Sequence, residues 1–153
     1  MLKAFDVPAH LGNPDGQFQA ELLGNIPWLV FGRIRPMHTN LVIFGFVGSA
    51  LLGTAYYLVP TLVRTPLYSE PLGKASLWVW NLAIIAGTIT LSMAYSQGRE
   101  YAEWIWPIDI AILFSLGLMF YNLLRTVIRR EEKILYVSTW YVFGALVFTF
   151  FIY

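Results

Sequence analysis

From Met37 to Val59 the sequence carries no lysine, arginine, aspartate or glutamate. At about 1.5 Å per helical residue, such a run crosses roughly 30 Å of hydrocarbon. Lipid offers the backbone no hydrogen-bond partner, so a run of this kind closes its bonds internally as a helix. Three more apolar runs follow, at about 76–96, 104–124 and 134–153. The expected fold class is an all-α membrane protein with four transmembrane helices, the first at about 36–59. Residues 1–33 read as an extramembrane or interfacial segment, and 34–153 as the four-helix transmembrane region.

Composition supports the same reading. Hydrophobic residues make up 58% of the 153 and charged residues 12%, about half the charged share of a soluble domain. Mean hydropathy is +0.61. A net charge of +1 gives no electrostatic case for nucleic acid. There is no cysteine. That excludes disulfides, thiolate metal sites, iron–sulfur clusters and thioether haem attachment through this chain.

Local signals mark the boundaries. Asn13-Pro14-Asp15-Gly16 is a turn signal. Pro36 suits the first turn of a helix, and Pro107 repeats the device after Trp106. Pro66, Pro71 and Gly73 read as loop residues, and Arg125 to Lys133 as a charged connector. Short loops imply antiparallel neighbours. The two connections on one side carry Arg64, Lys74, Arg125, Arg129, Arg130 and Lys133. The other side carries Lys3, Arg33, Arg35 and Arg99. The bias places the N-terminus, His38 and the 97–103 loop on the outer face. Arg33, Arg35, Arg99, Glu100 and Glu103 then share a layer with His38.

His38 is one of two histidines; the other is His10. A neutral imidazole is a good axial ligand for haem iron. The alternative is an interfacial histidine touching headgroups or water. Gly45, Ser49 and Gly53, spaced by four, give small residues that a flat macrocycle beside His38 needs. The same stripe serves helix–helix packing in membranes. Arginine pairs with carboxylates such as haem propionates, or with lipid phosphate. Glu100 and Glu103 can offer oxygen ligands to calcium or form a solvated loop. Asp109 reads as a buried carboxylate or a helix N-terminal charge. Asn81, Thr88, Ser115 and Asn122 are candidates for bonds between helices.

These residues resemble a known family. The stretch PWLVFGRIRPMHTNLVIFGFVGSALLGTAYYLV is similar to the second transmembrane segment of the catalytic subunit of cbb-type cytochrome c oxidases, the C-family haem–copper oxidases. SQGREYAEWIWPIDIAI resembles that family's next loop and fourth helix, and KILYVSTWYVFGALVFTF its fifth. The likeness runs from Ile26 to Tyr153. H-T-N-L and A-Y-Y-L-V-P are shared with the nitric oxide reductases; the GREYAE loop favours the oxidase.

The resemblance implies that His38 is an axial ligand of low-spin haem b and that Arg35 contacts the haem propionates. Arg33 is a second propionate candidate and Gly45 a packing residue. Glu100 would bind calcium beside the propionates, with Glu103 a less close match. The family's bundle has about twelve helices, and its other haem ligand and copper-binding histidines lie beyond the matched stretch. Copper is therefore not expected on this chain, and it is not expected to be catalytically complete alone. It reads as a fragment, part of a split subunit or a degenerate relative. Expected partners are the remaining helices of the subunit or a second chain carrying them, membrane-anchored c-type cytochrome subunits and lipid. The expected location is the bacterial inner membrane, N-terminus periplasmic. A reading of another class is a non-catalytic membrane subunit or assembly element without haem.

Overall fold

The computed structural model describes residues 31–99 and 102–152. His10, Glu100 and the turn at residues 13–16 lie outside the described residues. Among those described there are helices and no strands. Helix α1 is continuous from Phe31 to Val63 in three pieces: α-helical Phe31–Asn40, π-helical Leu41–Gly48 and α-helical Ser49–Val63. Helix α2 is Glu70–Ser92, α3 is Trp106–Ile128 and α4 is Val137–Ile152. Three of these are long and apolar enough to cross a membrane: Gly32–Val63, Glu70–Ser92 and Trp106–Ile128. Helix α4, with 16 residues, is about 24 Å long.

The helix ends follow from local chemistry. Helix α1 begins at Phe31 and carries Pro36 inside it, rather than starting near Pro36. It also passes through Pro60 and stops at Arg64, whose φ of 51° breaks the helical path. Helix α2 starts earlier than its apolar run. The Ser69 side chain accepts from the Leu72 N–H at 3.4 Å, and Pro71 sits in the first turn. A serine cap followed by proline starts a helix well, so Pro71 and Gly73 are helical rather than loop. Helix α3 has Asp109 in its first turn and Arg125 in its last. Both charges complement the helix dipole.

Neighbouring helices run antiparallel. Arg33 at the start of α1 donates to the Ser92 carbonyl at the end of α2, 3.2 Å away. Ser69 at the start of α2 meets Asn122 near the end of α3. Phe120 of α3 packs edge-on against Phe143 of α4 at 5.6 Å.

The core is aromatic where Phe44, Trp80 and Trp104 meet. Phe44 lies 5.0 Å from Trp104 and 6.3 Å from Trp80 between ring centroids. Two glycines permit this. A Cβ on Gly48 would meet Trp80 at 2.8 Å, and one on Gly87 would meet Trp104 at 2.6 Å. The Trp80 indole N–H donates to Ser49 Oγ at 3.1 Å. The stripe Gly45–Ser49–Gly53 therefore splits. Ser49 packs against α2 and Gly45 lies near Ile84, while Gly53 faces nothing within 4 Å.

Polar side chains join the helices lower down. Ser115 Oγ donates to the Ser76 carbonyl at 2.7 Å, and Tyr56 Oη pairs with Ser76 Oγ at 2.6 Å. Asn122 receives the Ser69 N–H at 3.1 Å and returns a bond to its carbonyl at 2.9 Å. Asn81 and Thr88 bond instead to carbonyls of their own helix.

Candidate haem-side layer

The start of α1, the end of α2 and residues 96–99 and 103 lie at one end of the bundle. This end contains two adjacent hollows, and the candidate residues divide between them. The first is an open groove of about 640 Å³ lined by Arg33, Ile34, Met37, His38, Leu41, Ser92 and Met93. His38 is exposed and makes no hydrogen bond to any described residue. Its imidazole therefore stands at the rim of a mostly apolar groove with both ring nitrogens available. Arg33 closes one end, held by the Ser92 carbonyl.

The second hollow measures about 650 Å³ and is lined by Gly32, Arg35, Pro36, Ser96, Gln97, Gly98, Arg99 and Glu103. Arg35 and Arg99, distant in sequence, thus come together as the charge layering predicts. Its charged lining among the described residues is Arg35, Arg99 and Glu103.

Helical phase explains the division. Arg33 and Arg35 are two residues apart, so they point to different sides of α1. Arg33, not Arg35, shares the groove with His38.

Glu103 is fixed by Asn40. The Asn40 Nδ2 donates to Glu103 Oε2 at 2.7 Å and to the Pro36 carbonyl at 2.8 Å. Asn40 is 1% exposed, and its Oδ1 has no hydrogen-bond partner among the described residues. Gln97 completes the layer. Its side-chain amide donates to Asp109 Oδ2 at 2.7 Å and to the Trp104 carbonyl, while its N–H donates to the Glu103 carbonyl at 2.8 Å. Asn40 and Gln97 were not singled out from sequence. A polar amide two residues past His38, where the uncharged run of the helix begins, was the available signal for Asn40.

No group of three His, Cys, Asp or Glu side chains that would hold a metal forms among the described residues. A Cβ on Gly45 would meet Leu41 and Ile84 at ordinary van der Waals distance.

An all-helical membrane bundle with a histidine and arginines gathered at one end defines the class. Residues 7–153 match the family model for cytochrome c and quinol oxidase polypeptide I. The chain belongs to that family. It is 40% identical over 128 residues to the cbb3-type cytochrome c oxidase subunit CcoN1 of Stutzerimonas stutzeri, covering 82% of this chain and 26% of that protein. A cytochrome c oxidase subunit 1 homolog of Agrobacterium tumefaciens is 36% identical, with 79% of this chain and 22% of that protein covered. Cytochrome c oxidase subunit 1 of Rhodobacter capsulatus is also 36% identical, covering 78% and 23%. The chain spans about a quarter of the length of these relatives.

Proposed function

We propose that this chain supplies one side of the low-spin haem b site in a cbb-type cytochrome c oxidase. Support comes from the family match, the 40% identity to a cbb3-type subunit, and the chemistry of the outer layer. The observation that carries the reading is the exposed His38 imidazole at the rim of a mostly apolar groove that Arg33 also lines, with Arg35 and Arg99 in the adjacent hollow. Such a donor set fits a haem: a neutral nitrogen for the iron, apolar contacts for the ring, and cations for the propionates. When bound, the haem supplies one-electron transfer.

His38 would donate a nitrogen lone pair to the iron. Leu41, Met37 and Ile34 would exclude water from the ring. Arg33 would meet a propionate at the groove, with Arg35 and Arg99 holding negative charge in the neighbouring hollow. Calcium would take carboxylate oxygens of Glu103 and Glu100 beside the propionates. Glu103 Oε1 carries no hydrogen bond among the described residues and is the oxygen left for that ion.

The role is electron relay within a proton-pumping oxidase, next to the other helices of the catalytic subunit and c-type cytochrome subunits. The setting is a bacterial inner membrane with the His38 end periplasmic, as the lysine and arginine bias supports. The relatives' names favour oxygen over nitric oxide as the final acceptor. The deciding experiment is His38→Ala in the assembled complex. The low-spin haem b bands should vanish from the reduced-minus-oxidised spectrum while the subunit still accumulates. Unchanged bands would overturn the assignment.

A further inference from the structure

At the end of the bundle opposite His38, two arginines converge on one tyrosine. The Arg129 guanidinium carbon lies 4.4 Å from the Tyr68 ring centroid, and that of Arg125 lies 5.0 Å away. Tyr121 packs edge-on against the same ring at 6.2 Å. Arg125 lies in the last turn of α3 and Arg129, four residues on, is its C-terminal cap, while Tyr68 sits in the connection before α2. Neither arginine makes an ion pair among the described residues. The carboxylates close in sequence are otherwise placed: Glu132 pairs with Arg64 at 3.5 Å, and Glu70 with Lys74 at 3.7 Å. Glu131 is exposed, and its backbone N–H bonds Thr65 Oγ1. The Arg125 Nε is buried and has no hydrogen-bond partner among the described residues.

Two cations on one ring repel each other, and a buried donor without an acceptor costs roughly 1–3 kcal/mol. One multivalent oxygen acceptor relieves both. A phosphate offers several acceptor oxygens matched to the arginine fork. The position favours a phosphodiester at bilayer depth. Arg125 ends a membrane-length helix, and tyrosine with arginine is the usual interfacial pairing.

We propose that Arg125, Arg129 and Tyr68 form a binding site for a phosphate group, carried by an anionic phospholipid. The site lies at the far end of the bundle from the haem-side layer and does not depend on that reading.

The test titrates the delipidated full chain in detergent with phosphatidylglycerol and, separately, with inorganic phosphate. Bound molecules are counted by native mass spectrometry. Arg129→Gln and Arg125→Gln should each weaken phosphatidylglycerol binding by roughly tenfold. Arg130→Gln, which alters an exposed neighbour bonded only to the Val127 carbonyl, should leave it unchanged. If inorganic phosphate shows the same arginine dependence and the lipid none, the phosphate site stands and its source is soluble. Wild-type affinity in the double variant overturns the proposal, as does a wild-type chain that binds neither probe. Arg129 is exposed, so its variant keeps the test available if Arg125→Gln does not fold.

Discussion

Asn40 Nδ2 and Glu103 Oε2, 63 positions apart in sequence, meet at 2.7 Å. This bond ties the first helix to the segment before the third. Glu103→Ala should strand a buried amide and cost about 1–3 kcal/mol. Glu103→Gln keeps an acceptor oxygen and should cost less. Thermal unfolding of the chain in detergent checks the order; a glutamine variant as labile as the alanine one would show that the bond carries little.

Glycine positions should behave oppositely according to what faces them. Gly87→Ala places a methyl 2.6 Å from the Trp104 indole and should destabilise by about 1–3 kcal/mol. Gly53→Ala meets nothing within 4 Å and should be neutral or stabilising by up to about 1 kcal/mol. Melting temperatures of the two variants provide the comparison.

Asn122 is fully buried and holds both backbone groups of Ser69, the residue that caps the second helix. Asn122→Ala should therefore loosen the cap as well as the helix contact, at a cost of about 1–3 kcal/mol. Hydrogen exchange should rise first at Leu72 and Gly73. Protection there equal to wild type would contradict the linkage.

Tyr68 should ionise at lower pH than an ordinary tyrosine. The Arg125 guanidinium bonds and attracts its phenolate, with Arg129 adding charge, against a smaller opposing effect of desolvation. A depressed folded value means this contribution is present above the unfolded value of 10.0 and fades as pH falls through the folded one. The difference in phenolate absorbance between wild type and Tyr68→Phe should move to higher pH when Arg125→Gln is added.

Much of this was legible in the residues. Uncharged runs marked the helices, and the antiparallel order followed from short loops. Charge bias brought Arg35, Arg99 and Glu103 to one hollow. Ser115 and Asn122 make the expected contacts between helices. Other features depend on three-dimensional complementarity. Trp104 read as the mouth of a helix, yet it is fully buried because Gly87 leaves room for its ring. Pro71 looked like a loop residue because its cap, Ser69, precedes the apolar run. The separation of Arg33 from Arg35 follows from a helix already formed at Phe31, five residues before Pro36.

The π-helical stretch Leu41–Gly48 has a consequence for sequence alignment. Its wider turns uncouple the rotational phase of His38 from that of Leu52, Ala55 and Val59, which face the core. A single-residue deletion inside it could revert the stretch towards α-helix without breaking the span. A deletion that the wide turns do not absorb would cost aim: the segment bearing His38 would turn by about 100° around its axis, carrying the imidazole off the groove. Insertions and deletions between His38 and Ser49 should thus be read as steering changes, even where the helix survives them.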